Sequence, residues 1–159
     1  MRMRRKDREI DDAQEMDAIL SRCDAVSIAF AGPRPYVVPM SFGFVREGGR
    51  LKLYMHCAGA GEKLARMEEN PHVAFAAYRC GPLEEGETAC AYSTAYESVC
   101  GSGTLCRVSG EEKERGLRIL MEHYAPGRSF SFQRPQLEAV TVLRLDAQEA
   151  SGKRRSPRS

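Results

Sequence analysis

The chain has no tryptophan, only three histidines, and no Cys-x-x-Cys pair among its six cysteines. Zinc and iron–sulfur centres need thiolates or imidazoles at short spacings. Cys23, Cys57, Cys80, Cys90, Cys100 and Cys106 instead fall in apparently regular elements, where cysteine is usually a small buried hydrophobe in a reducing compartment. No apolar run approaches the ~20 residues that span a bilayer. The opening Met-Arg-Met-Arg-Arg-Lys is followed by Asp7, Glu9, Asp11 and Asp12 where a secretory leader needs its apolar stretch, so a soluble cytoplasmic protein is expected. The Gly-x-x-x-x-Gly-Lys-Ser/Thr spacing is missing as well, which excludes a nucleotide P-loop. Nor is there a strong excess of one charge: the net value is +2, concentrated in residues 1–9 and 150–159, with an acidic body between them. The basic ends carry no interleaved aromatics and read as solvated termini rather than as a nucleic-acid interface.

What is present is organised around residues 51–69, which read as a strand, a small-residue turn and a helix. Leu51, Leu53, Met55 and Cys57 alternate with Lys52, Tyr54 and His56, so one face is apolar and the other presents His56 beside a tyrosine and a cation. Gly59 and Gly61 permit a tight turn before a helix that carries Leu64 and Met67 and stops at Asn70-Pro71. Lys63 falls in the first helical turn, where the dipole disfavours a cation and the free amides favour an anion. Two readings of Lys63 stay open: it meets an anionic ligand, or it pairs loosely with Glu62 or Glu68 in water.

A length of 159 residues suits one domain. The expected organisation is a basic arm over residues 1–10, a single domain over 11–149 and a basic, disordered tail over 150–159. Asp12 with Glu15 forms a capping-box pattern ahead of Met16, Ile19, Leu20 and Cys23, predicting a helix over 12–23. Strands are predicted over 25–31 and 36–45. Glu47-Gly48-Gly49-Arg50 gives a hairpin turn into the central strand. Pro39, mid-strand, cannot donate to a ladder, so its strand lies at an edge or is bulged; whether that edge is simply blunted or offers its backbone to a ligand stays open. Further strands are predicted over 72–78, over 92–108 with a bend at Gly101 and Gly103, and over 137–145, with an acidic loop over 81–91. Ser109 and Glu112 form a second capping-box pattern, opening a helix that carries Leu117, Leu120, Met121 and Tyr124 and stops at Pro126-Gly127. The pattern predicts an α+β chain, mainly β, whose antiparallel sheet curls into a barrel with flanking helices.

Tyr36 to Phe42, Leu53 to Ala58, Gly61-Glu62-Lys63, Asn70-Pro71 and Tyr96-Glu97-Ser98-Val99, in this order, resemble the pyridoxamine 5'-phosphate oxidase-like, FMN-binding split-barrel superfamily, and its nitroimidazole-resistance branch in particular. The resemblance spans residues 3–153. It implies a six-stranded Greek-key split barrel and a homodimer holding flavin at the subunit interface. It places Val38, Pro39, Met40 and Ser41 against the flavin ring, His56, Cys57 and Ala58 beside the cofactor, Lys63 at the phosphate, and Ser98 on the approach from a following strand. His56 takes the position of a histidine proposed to act in reduction. The function implied is an FMN-dependent oxidoreductase that takes electrons from a nicotinamide and reduces a small electrophile such as a nitroaromatic or a quinone. The alternative is a flavin- or haem-binding protein without turnover, serving storage, sensing or haem utilisation. Haem and a deazaflavin are the other cofactors the superfamily brings with it, and neither nucleic acid nor membrane is expected as a partner.

Overall fold

The computed structural model describes residues 4–157; the first three residues of the basic arm and the last two of the basic tail lie outside them. The largest part of the chain forms eight strands of one antiparallel sheet, with helices packed against it.

Two-residue β1 (Glu9–Ile10) leads into α1 (Ala13–Leu20), whose cap is as the sequence predicts: the Asp12 carboxylate accepts from the Glu15 amide at 2.8 Å. Strand β2 (Val26–Phe30) pairs with β3 (Tyr36–Met40), and β4 (Phe42–Glu47) pairs with β5 (Arg50–Cys57) through a turn in which Gly48 and Gly49 take φ of 55° and 80°. Helix α2 (Glu62–Glu69) follows, then the long β6 (His72–Glu84) and β7 (Ser93–Val108). After α3 (Gly110–Tyr124) and α4 (Arg134–Ala139), β8 (Thr141–Arg155) closes the chain.

The order across the sheet is β3-β2-β6-β7-β8-β5-β4, with β1 against β8. Its two ends are consecutive in sequence. The run predicted as one strand over 36–45 changes partner at Ser41, bonding β2 through its first half and β5 through its second. That division, with β1, makes eight strands of the six expected. No ladder joins β3 to β4, so the barrel is open there; the Tyr124 hydroxyl accepts from the Phe42 amide at 3.0 Å and donates to the Asp24 carbonyl at 2.7 Å.

Inside the curl lie Val26, Ile28, Leu53, Met55, Phe75, Val99, Leu105, Leu143 and Leu145, closed at one end by Met16, Ile19 and Leu20 of α1. Strand β5 is buried on both faces. Tyr54, predicted to share an outward face with His56, is fully buried beneath α3 with Leu117 and Val142. The helix approaches because Gly43 presents no side chain: a β-carbon there would stand 2.3 Å from the Ile119 carbonyl oxygen.

Three further expectations need correction. The closing strand does not begin at Leu137, because Pro135 starts α4 and Gln133 and Gln136 cap it reciprocally. The Ser109 side chain does not cap α3; Glu112 turns instead to Tyr54 Oη at 3.2 Å and to Arg144. Residues 150–155 are not a disordered tail but the end of β8, held between β1 and β7, with Arg154 paired to Glu15 and Arg155 to Glu84. The basic end has acidic partners waiting for it in the body.

Candidate functional site

Where β3 ends, the chain turns at Ser41 beside the end of β5, and the loop after β5 brings α2 back over the same place. A cavity of about 250 Å³ results, lined by Val38, Pro39, Met40, Ser41, His56, Cys57, Ala58 and Lys63. These are eight of the nine residues expected to hold a cofactor. The ninth, Ser98, is elsewhere: it lies on β7 between Tyr78 and Lys153, on the outer surface of the sheet.

Each side chain is placed by its element. Strand β3 bonds a neighbour on one side only, so one row of its backbone groups is free, and Pro39 interrupts that row without harm to a second ladder. His56 is exposed at the end of β5, one residue beyond the last fully buried position, Met55. Cys57, on the opposite face, is half-buried. Burial pushes its thiol pKa up, with Lys63 and Arg107 pulling in the other direction. Gly61, at φ 137°, sets the entry to α2.

Lys63 is half-buried in the first turn of α2, and the loose pairing with Glu62 or Glu68 that the sequence offered is not formed. Glu62 is taken by Arg66 at 2.7 Å, and Glu68 by Arg107 at 2.6 Å. Among the described residues Lys63 forms no ion pair. A cation thus faces a concave site beside free helical amides, an arrangement that suits a phosphate or another anion. Arg107 escaped the sequence reading. Its charge acts on Cys57 and so it lies near the cavity, but it arrives from β7, fifty residues on, with no local pattern to mark it.

Among the described residues there is no group of three or more His, Cys, Asp or Glu side chains that would hold a metal ion, and no helix is long and apolar enough to cross a membrane.

Comparison with known proteins bears directly on this geometry. Residues 12–154 match the family described as pyridoxamine 5'-phosphate oxidase. Among solved structures, a protein from Bacteroides thetaiotaomicron named for 5-nitroimidazole antibiotic resistance is 28% identical, covering 91% of this chain and 85% of that one with a TM-score of 0.76. The flavocytochrome Anf3 from Azotobacter vinelandii is 24% identical over 98% of this chain and 73% of that one, with a TM-score of 0.79. A FAD and heme binding protein from Mycobacterium smegmatis is 20% identical over 94% and 74%, with a TM-score of 0.80. The last two similarities show the fold alone. No curated protein matches at a significant level. With most of its length matched and its sheet curled as a split barrel, the chain belongs to the pyridoxamine 5'-phosphate oxidase-like family of flavin-binding proteins.

Proposed function

We propose that the protein is a homodimeric FMN-dependent oxidoreductase that passes electrons from a nicotinamide to a small electrophile, a nitroaromatic or a quinone. The observation that carries this reading is Lys63: a cation without an acidic partner, in the first turn of α2, opening on a cavity whose opposite wall is an unpaired strand edge.

The residues fit a flavin mononucleotide. Lys63 and the first amides of α2 would hold its phosphate, and the free edge of β3 from Val38 to Ser41 would lie along the ring. When bound, the flavin supplies hydride and electron transfer. His56 would donate a proton from its imidazole to the reduced substrate, a task for which imidazole suits near-neutral pH. Cys57 and Ala58 would shape the wall. The likeness to the nitroimidazole-resistance structure favours a nitroaromatic as acceptor.

A second copy is part of the proposal. A cavity of about 250 Å³ is smaller than the ~300–1,000 Å³ usual for a cofactor site, so one protomer would supply only part of the wall. The outer surface of β2, β6 and β7, on which Ser98 lies, carries Ala29, Ala74 and Ala76 and the 66%-exposed Tyr78. A two-fold partner docked there would bring its Ser98 toward the first protomer's flavin.

Purification tests the reading in one step. The expected preparation is yellow, releases FMN on denaturation and sediments as a dimer. A Soret band points to haem instead; a colourless protein that takes up neither cofactor, or a flavin-loaded monomer, overturns the proposal.

A further inference from the structure

A second cavity, of about 330 Å³, lies along the free edge of β4 and is lined by Ser21, Phe44, Ile119, Glu122, His123 and Pro126. None of these lines the first cavity. Strand β4 ends the sheet, and the last turn of α3 ties itself to the loop after α1, His123 Nε2 to the Cys23 carbonyl at 2.9 Å and Tyr124 Oη to the Asp24 carbonyl. Further along the same strand Arg46 holds Asp17 of α1 at 2.7 Å. Between these two ties Phe44 faces the cavity.

The wall offers rings, aliphatic carbon and a few oriented polar groups. Phe44, Ile119 and Pro126 supply its apolar surface. The His123 ring is held against Phe42, 4.7 Å between centroids, and edge-on to Phe44 at 6.1 Å. A carbonyl oxygen only accepts, so Nε2 carries the hydrogen toward Cys23 and, in the neutral ring, Nδ1 is an acceptor. Among the described residues Nδ1 has no partner, and it is not sealed from solvent. Phe42 gives its amide to Tyr124 rather than to β5, so by the alternation of an antiparallel ladder the amide and carbonyl of Phe44, two residues on, also point away from β5. Glu122 adds a carboxylate that accepts from the Gly127 amide and, among the described residues, pairs with no cation, which disfavours an anionic ligand. An apolar cavity of ~150 Å³ takes up benzene, so this one has room for two fused rings, and aromatic walls gain more from a ring than from the same area of aliphatic surface.

We propose that this cavity binds a small aromatic molecule, neutral or cationic, that packs on Phe44, Ile119 and Pro126 and donates one N–H or O–H to His123 Nδ1. The site is independent of the flavin reading, since it uses neither Lys63 nor β3.

The test titrates the full-length protein at pH ~8, where free imidazole is neutral, with indole and in parallel with benzofuran, which has the same ring shape and no N–H, following backbone amide shifts by NMR. Saturable shifts centred on Phe44, Ile119 and His123 are expected with indole. In His123→Phe, which keeps a ring and loses the acceptor, the preference for indole over benzofuran is expected to fall about 2- to 10-fold, the worth of one neutral hydrogen bond, and the ratio cancels any general loosening of the wall. Because that change also removes the tie to Cys23 and can impair folding, Ser21→Phe, at an exposed position on the wall, gives a second reading: the added ring fills the cavity and is expected to abolish saturable shifts with both probes. Lys63→Ala is expected to leave the shifts in place. Absence of saturable shifts with indole, an unchanged indole-to-benzofuran ratio in His123→Phe, undiminished binding in Ser21→Phe, or loss of the shifts in Lys63→Ala overturns the proposal.

Discussion

Tyr54 packs so closely on Gly116 that a β-carbon at position 116 would stand 2.6 Å from Tyr54 Cδ1. The ring cannot retreat: it is fully buried, its hydroxyl is bonded to Glu112, and burial together with that carboxylate pushes its phenol up to about 12. Gly116→Ala is therefore expected to destabilise the fold by about 1–3 kcal/mol, as overpacking does, despite a helix-propensity gain of ~1 kcal/mol. Urea unfolding measures it as a lower midpoint at constant slope. An unchanged midpoint would mean that α3 slides freely along β5.

Lys63 offers a sharper experiment. Lys63→Ala is expected to weaken FMN about 10- to 150-fold, the worth of one charge-assisted hydrogen bond, and to leave riboflavin nearly untouched because riboflavin has no phosphate. Titrating both ligands into both proteins isolates the phosphate contact from any loosening of α2. Equal losses for the two ligands would place the phosphate elsewhere.

His56→Ala is expected to keep its flavin and lose ~100-fold or more in turnover of a nitroaromatic substrate, the range for general acid catalysis. The comparison to make is kcat at saturating substrate against cofactor content measured on the same sample. Full turnover with full cofactor would reduce His56 to a wall of the cavity.

Glu97 predicts a pH dependence. Its bonds to Arg22, opposed by burial, hold its carboxyl below the usual range, with Arg154 adding to the effect. A carboxyl depressed on folding stabilises the protein above its unfolded value of ~4.3, and that stabilisation drains away as pH falls through the lower folded value. Glu97→Gln is accordingly expected to cost about 1 kcal/mol at pH 7, between the limits for exposed and buried pairs. The gap from the parent protein should shrink below pH ~4.3 and vanish once Glu97 is protonated in both states. Urea midpoints on a descending pH series follow this directly; a gap that persists in acid would assign the effect to packing rather than charge.

The parts of the first cavity were legible in the sequence because each is marked locally, while their meeting at one site was implied by the family resemblance. His56 and Cys57 are placed by the two-residue period of β5, Lys63 by the glycines ahead of α2, and Pro39 marks an edge by lacking a donor. What escaped depends on distant partners. Residues 150–155, Ala-Ser-Gly-Lys-Arg-Arg, have no apolar alternation, and only β1, β7 and the acids Glu15 and Glu84 make them a strand. Tyr54 looked outward because nothing near it in sequence announces α3, which arrives over fifty residues later. The same holds for Arg107. Pro135 and the Gln133/Gln136 pair did mark the start of α4, a signal weakened by the short and mostly exposed helix that follows.

The position of β8 has a consequence for the chain as it is made. This last strand pairs with β1, β5 and β7, the first of them in a register that sets Glu9 opposite Lys153. A nascent chain leaving the ribosome at ~5–20 residues per second must therefore hold β5 and the apolar faces of Leu53 and Met55 without their final neighbour for several seconds. Hairpins β2–β3 and β4–β5 can form early, each being local, but the core cannot seal until β8 has been synthesised. Burial of the interior thus waits on β8, and premature termination anywhere before Thr141 leaves an open sheet for chaperones or proteases to find.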